Sequence, residues 1–438
     1  MRDTLLNLSA KNYGHFDLVV VGGGCTGTFA AVKAARLGLK VAIIEKTNCF
    51  GGVATSGLVN IWHSLFDFDG KTQIIRGLTE EVENTLLARG EAFLINSQSA
   101  GVRFDPNAMK RALDELIEKS GVKVFLHTHY GALITDGDRI EKIVVANKDG
   151  IGVMSADFFV DATGDGDLCR DSGVESYVSS DLQPPTPCCL IKGNVEAKIG
   201  RLIKEHGIEF GLEDDFGWGS MVAGFDDVEL RADFHLFDKD CSDASILSVA
   251  ELEGRKKLYA LDGLLKKYCD TYYGTVAVCS ALGIRETVHY KTRFKALEQD
   301  ILLGKTYADT VMRGSYRVDV HDNLGGITFR YLNGREEYIK GKHTPAIESD
   351  WREALGISGD YAKHYEVPFG ILQQEKMHNL IPVGRMINAD EGAFGALRVM
   401  VNLNQLGEAA GVASYLALNK NCSIQNINGK NVREILEK

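Results

Sequence analysis

The sequence predicts an α/β protein: a largely parallel sheet made of strand–glycine turn–helix units, extended by a β-meander, with an α+β segment inserted into it. Three observations predict this class. Residues 17–45 read as strand, glycine turn, helix and strand; residues 122–160 read as a strand followed by a meander; residues 379–418 return to the strand–glycine–helix pattern after a long stretch of different composition.

Each element has a local reason. "DLVVV" (17–21) is a short apolar run, read as a buried parallel strand, and glycines 22, 23, 24 and 27 follow it. Residues 26–37 carry apolar and small positions at helical spacing, with Gly38 as the stop. "KVAII" (40–44) is the second buried strand, and Glu45 stands at its end. A second glycine cluster, "CFGGVATSG" (49–57), comes at once. Residues 105–119 read as an amphipathic helix with Asp105 as cap and Pro106 at the first helical position. Strand signals at 122–127, 131–135, 140–147 and 151–160 are separated, for the last three, by turns at 136–138 and 147–150. The run ends in "FFVDATGDGD" (158–167), an apolar strand entering a glycine turn. Residues 171–365 hold most of the aromatic and charged residues and mixed signals, and are expected to be an inserted substrate or cap domain. Residues 1–170 and 366–438 are then the two parts of one nucleotide-binding domain.

Composition sets limits. The 438 residues are 45% hydrophobic and 25% charged, enough apolar mass for a large core. A net charge of −11 argues against nucleic acid and against an anionic membrane surface. No run approaches a membrane span, and the first fifteen residues lack the apolar core of a secretory signal. The nine cysteines are scattered apart from Cys188-Cys189, with no CxxC, so zinc or iron–sulfur spacing is missing and free cytosolic thiols are expected. HExxH, EF-hand and GxSxG patterns are missing too; no metal site and no serine hydrolase is expected, and the location expected is cytoplasmic.

Gly22-x-Gly24-x-x-Gly27 is a dinucleotide fingerprint set between a strand and a helix. The first glycine permits the turn, the second lets pyrophosphate approach the backbone, and the third lets helix pack on strand. Glu45 lies 23 residues after Gly22, the spacing for a ribose hydroxyl, and would repel a 2′-phosphate. The fingerprint alone does not separate NAD from FAD. Further glycine turns far along the chain, each after an apolar strand, favour FAD, whose ribityl and ring must be held away from the pyrophosphate.

"DLVVVGGGCTGTFAAVKAARLGLKVAIIEK", "GGVATSG", "FFVDATGDGDL", "GIRET", "DTVMRGSYRVDVHD" and "NLIPVGRMINADEGAFGALRVM" occur in this order. The chain thereby resembles the FAD-dependent oxidoreductase family that includes the flavin module of heterodisulfide reductase, itself similar to glutathione-reductase-like flavoproteins of the fumarate reductase type. The resemblance implies a Rossmann-like FAD-binding fold. It implies that Gly22, Gly24 and Gly27, with Cys25 and Thr26, hold the pyrophosphate, and that Glu45 and Lys46 meet the adenosine half. It places Gly51, Gly52, Ala54, Thr55 and Gly57 near the flavin and pyrophosphate, and Asp161, Gly164 and Asp165 near the cofactor. Asp161 has a second reading, as a turn cap. Gly384, Arg385, Asn388, Arg398, Val401 and Asn404 complete the set, with a helix beginning near Val399 directed at the flavin N1–C2=O edge. The family often has proline where Val401 stands. No histidine lies in 46–57, so the FAD is expected to be non-covalent, and Cys49 has no cysteine partner nearby.

Reduced flavin passes hydride through N5, so the protein must orient a substrate and handle a proton. Arg285 in "GIRET" is read either as a clamp for a carboxylate or carbonyl or as half of an Arg285–Glu286 pair bracing two domains. Val288 and His289 stand where the family continues with basic residues. In "SYRVDVHD" (315–322), Arg317, Asp319 and His321 share one strand face. Asp319 is expected to orient His321 and raise its basicity, making an acid/base pair, against the alternative of a structural histidine. Arg313 is a further catalytic candidate, and His63 faces either the flavin or the core. The function expected is hydride transfer between flavin and a carbon of a small-molecule substrate. The alternatives are a flavin electron carrier served by a separate iron–sulfur partner protein, and a nucleotide-bound scaffold without turnover.

Overall fold

The computed structural model describes residues 9–97, 100–213, 215, 217–322, 325–341 and 344–438. Strand β1 (Lys11–Val21), helix α1 (Cys25–Arg36) and strand β2 (Val41–Ile44) form the expected βαβ unit. The last four residues of β1 and all of β2 are buried, and they pair in parallel from Leu18↔Val41 to Val21↔Ile44. Apolar runs on both faces of a central sheet give this uninterrupted pattern. Helix α2 (Pro106–Ser120) starts where Asp105 accepts from Asn107 N at 2.9 Å, and buries Met109, Ala112, Leu113, Leu116 and Ile117 at helical spacing.

The sheet runs β3 (Lys123–Phe125), β2, β1, β6 (Gly150–Asp161), β5 (Arg139–Asn147), β4 (His129–Asp136). One edge of β6 pairs in parallel with β1 from Gly152 to Asp161; on its other edge the first half pairs antiparallel with β5 and the end pairs in parallel with β7 (Leu380–Pro382). All three glycine turns after β1, β2 and β6 therefore open at the same carboxyl edge, where open α/β sheets bind ligands.

Helix α3 (Met400–Lys420) lies on α1 through two glycines: a side chain at Gly407 would overlap the Thr26 carbonyl, and one at Gly411 would sit 2.6 Å from that of Ala30. This close approach sets the N-terminus of α3 against the first glycine turn.

Residues 189–278 contribute a four-stranded antiparallel sheet, with helices Glu196–His206 and Ala244–Tyr268, around a core that includes Ile191, Ile199, Phe234 and Leu264. A second antiparallel sheet runs through Val318–His321, Gly326–Arg330, Arg335–Lys340 and Ile347–Asp350. Its Val318, Ile327 and Phe329 join the main core. Among the described residues, no helix is long and apolar enough to cross a membrane.

Candidate active site

One cavity of about 820 Å³ is lined by the glycine turns on one side and by Arg285, Tyr316, Arg317, Asp319, His321 and Phe329 on the other. That volume is in the range of small-molecule and cofactor sites.

The nucleotide side is built from backbone. Gly22 has φ 104°, and its missing side chain makes room for the Ala162 carbonyl. A Cβ at Gly27 would overlap the Gly22 carbonyl oxygen, so this residue lets α1 start hard against β1; it does not itself line the cavity. Gly24, Cys25 and Thr26 do line it, at a helix start with no side-chain cap, where free N–H groups suit a pyrophosphate. Glu45 Oε2 accepts from Gly23 N at 2.6 Å and Oε1 from Thr47 N at 2.8 Å. The carboxylate expected at the ribose thus also locks the turn, and it lines the cavity beside Lys46. In the second turn Gly51 donates to the Gly23 carbonyl at 2.8 Å, so the two turns lie backbone to backbone, and Gly51, Gly52 and Gly57 reach the cavity.

Ala54 and Thr55 do not reach it. Both are fully buried, and Thr55 Oγ1 donates to the Phe50 carbonyl at 2.6 Å, closing the loop from behind. Asp161 takes its second reading: fully buried, it accepts from Thr163 Oγ1 at 2.8 Å and from Cys169 N at 2.9 Å. Burial raises its carboxyl to about 6. Gly164 and Asp165 line the cavity, and Asp165 is paired with Arg385 at 2.5 Å and with Thr287 Oγ1 at 2.8 Å. Gly384, Arg385, Arg398, Val399, Met400 and Leu403 close the wall, with no side chain capping α3. Val401 is buried outside the lining. Asn388 also stands apart, holding Tyr177 at 3.0 Å and the Thr292 carbonyl at 3.2 Å. Asn404 is fully buried with neither amide atom hydrogen-bonded, and helical spacing puts it on the face of Met400 and Gly407.

The other side is a charged cluster on a strand. Val318–His321 pairs antiparallel with Gly326–Arg330, so Asp319 and His321 share a face with Phe329 and Ile327 opposite them. Arg317, Asp319, His321, Ile327 and Phe329 all line the cavity. A Cβ at Gly395 would sit 2.7 Å from the Asp319 carbonyl; this contact lays helix Glu391–Leu397 on the strand and brings Arg398 to 3.3 Å from Asp319 Oδ2. Asp319 also accepts from Tyr316 OH at 2.6 Å and lies 3.2 Å from His321 Nε2. Burial works to raise this carboxyl, but Arg398, His321 and Arg317 hold it well below the carboxylate range. The Tyr316 ring lies 4.1 Å from that of His63, which also lines the cavity.

The expectation that Asp319 raises the basicity of His321 is corrected. Burial first, and then the charge of Arg285, pull the imidazole down to about 3, outweighing Asp319. Arg313 is corrected as well: its Nε donates to Glu366 at 3.1 Å and its Nη2 to Glu437 at 3.4 Å, outside the cavity, where it braces a strand against the last helix. Arg285 lines the cavity and does not pair with its neighbour, which bonds His289 at 2.9 Å and Ser179 at 2.6 Å instead. Burial and Arg398 lower the Arg285 guanidinium to about 10.

His235 is a residue the sequence reading missed. It is buried, its ring lies 4.7 Å from that of His321, and Asp215 Oδ1 holds its Nδ1 at 2.9 Å. Nothing local in "ADFHLF" marks it; a contact across 86 positions does.

A central sheet with three glycine turns at its carboxyl edge, beside a buried acid–imidazole–guanidinium cluster, defines a dinucleotide-cofactor oxidoreductase. The sequence profile of the FAD dependent oxidoreductase family matches residues 17–436, and the chain belongs to that family. FAD is its cofactor, and the glycine cradle that any Cβ would fill, the two uncapped helix starts and the unpaired Asn404 fit that group.

The chain is 55% identical to dihydrolipoyl dehydrogenase of Trypanosoma brucei brucei over 40 residues, 9% of this chain and 8% of that one. It is 37% identical to 3-oxosteroid 1-dehydrogenase of Comamonas testosteroni over 68 residues, 16% and 11% of the two chains. These matches span about a tenth of each curated relative. Among solved structures, a geranylgeranyl bacteriochlorophyll reductase-like protein from Thermoplasma acidophilum aligns with 97% of this chain and 83% of its own, at 12% identity and a TM-score of 0.44.

Because Gly27 allows no Cβ, Gly27→Ala is expected to cost about 2–3 kcal/mol of stability. It is also expected to release FAD on dialysis. Urea unfolding and the flavin left on the protein check both.

Proposed function

We propose that this protein is an enzyme that moves a hydride between N5 of non-covalently held FAD and a carbon atom of a small organic substrate. One observation carries the reading: the glycine cradle and the Arg285–Arg317–Asp319–His321 cluster line the same cavity. Bound FAD supplies the hydride acceptor or donor there. The residues do the rest. The start of α3 and Arg398 offer positive potential to negative charge developing nearby. Asp319 anchors Tyr316, Arg398 and His321 in one arrangement. His321, neutral in the free protein, is placed to accept or pass a proton. Residues 171–365 act as the substrate or cap domain in this reading.

A carrier of electrons to a partner protein would need its flavin edge at the surface. A cavity in which an ionisable cluster stands beside the glycine cradle supports the enzyme instead. Nine free cysteines support a reducing, cytoplasmic setting.

The purified protein is expected to be yellow and to give up its colour to the supernatant on acid precipitation. Anaerobic mixing with panels of organic reductants, and of oxidants after dithionite reduction, is expected to find compounds that bleach or restore it. A chain that binds no FAD, or one whose bound FAD exchanges electrons only with protein carriers, would sink the proposal.

A further inference from the structure

Arg285, Arg317 and Arg398 line the cluster side of the cavity; the Asp319 carboxylate bears on all three, and Glu337 bears on Arg317 as well. Arg398 is paired with Asp319 at 3.3 Å. Arg285 donates one nitrogen, Nη1, to the Pro184 carbonyl at 2.7 Å and to Thr186 Oγ1, and among the described residues makes no hydrogen bond through Nε or Nη2. Arg317 donates to no protein acceptor among the described residues, and its Nε is buried without a partner. Its guanidinium lies over the Phe329 ring, 3.9 Å from the centroid, with the Tyr316 and Tyr331 rings at 5.3 and 5.7 Å. Stacking of this kind fixes the plane of the group and leaves its edge, with coplanar donors, as the open side. His321 is neutral there and adds no charge. Buried donors without acceptors are costly in a folded protein, and three guanidiniums against Asp319, with Glu337 shared with Arg335, leave positive charge uncompensated.

We infer that the substrate is a small organic carboxylate, its two oxygens taken by the open edge of Arg317 and by Arg285. This deepens the reading of the preceding section and rests on it. A carboxylate is flat, as the stacked guanidinium is, and it accepts two parallel N–H bonds in fork geometry. The glycine turns and the uncapped start of α1 provide for the cofactor's phosphates on the other side of the cavity, so the arginine cluster is left for a second anion.

The test uses the FAD-loaded protein and three sets of probes. These are succinate and benzoate, the uncharged succinamide and benzamide, and inorganic phosphate. Binding is read by calorimetry and by the shift of the flavin absorbance band, and bound FAD is counted separately. The acids are expected to bind saturably and the amides to bind on the order of 10–100-fold more weakly. Arg317→Gln is expected to weaken the acids by a similar factor while keeping its FAD and its unfolding midpoint. Arg317→Lys, which keeps the charge and loses the fork, is expected to fall between. Amides that bind as tightly as the acids, phosphate that binds better than either acid, or unchanged affinity in a folded Arg317→Gln would overturn the inference. A colourless protein that cannot be reconstituted would overturn the function proposed above, and acid binding by that colourless chain, read by calorimetry alone, would still decide the arginine claim.

Discussion

Asp319→Asn is expected to destabilise the protein by about 3–5 kcal/mol, the cost of removing one partner from a buried ion pair. The side chain is buried and serves Arg398, Tyr316 and His321 at once. Asparagine can keep the Tyr316 hydrogen bond, so what is lost is the charge that answers Arg398. Tyr316→Phe removes the hydrogen bond alone and is expected to cost about 1 kcal/mol. The pH dependence separates the two. The folded carboxyl titrates well below its ordinary value of 3.8. Its contribution is therefore complete above the unfolded pKa and is lost only as pH falls through the folded one. The gap between wild type and Asp319→Asn should hold steady from about pH 5 to 8 and narrow only in acid. Urea unfolding across that range measures it. A gap below about 1 kcal/mol would mean that the carboxylate does not compensate the arginines. The same variant has one more uncompensated positive charge in the cavity, so small carboxylates are expected to bind it more tightly than wild type.

How far the molecule could be read from its residues follows from the range of each signal. Glycine turns and apolar periodicity are local. The helix read at 105–119 lies at Pro106–Ser120, and the strands read at 140–147 and 151–160 lie at Arg139–Asn147 and Gly150–Asp161. β1 begins six residues before its apolar run, because Lys11 to Phe16 are held by pairing with β6, from Lys11↔Gly152 to Phe16↔Ala156, and not by any pattern of their own. In the site, alternation along "YRVDVH" correctly places Arg317, Asp319 and His321 on one face. The same rule is silent on Arg313, which strand pairing sets directly opposite Glu366. Arg285 and Glu286 are adjacent and serve different places, one the cavity and the other a buried bond to His289, and only tertiary packing decides that. The basicity of His321 fails to follow from its neighbour for a similar reason. Asp319 is two positions away from it on the same face, while the burial and the Arg285 charge that outweigh that carboxylate come from distant segments.

That lowered imidazole ties the stability of the fold to pH. His321 titrates near 3 when folded and near 6.5 when free. Between those values the unfolded chain binds a proton at this residue that the folded one does not, so the contribution of His321 to stability rises with pH across the window and falls as pH drops below 6.5, while Asp161, raised to about 6, works the other way. One such group contributes at most about 1.4 kcal/mol per pH unit. His235 is also shifted down, chiefly by burial, and acts in the same direction. His321→Gln, neutral at every pH, should flatten the slope between pH 6 and 4 by about one proton, and His235→Gln should flatten it further. The groups that face His321 are Asp319, Arg285 and His235. Asp319 favours its protonated form, while Arg285 and His235 oppose it. A carboxylate on Arg285 and Arg317 would cancel part of the opposing charge and raise the His321 pKa. By linkage, the ionised form of such a carboxylate must then bind more tightly as pH falls toward 4, and must reduce the slope of stability against pH. Wild type and His321→Gln, unfolded in urea at pH 6, 5 and 4 with and without succinate, decide it. Equal slopes in the two proteins would remove His321 from the account. A slope in wild type that succinate leaves unchanged would uncouple the imidazole from the arginines.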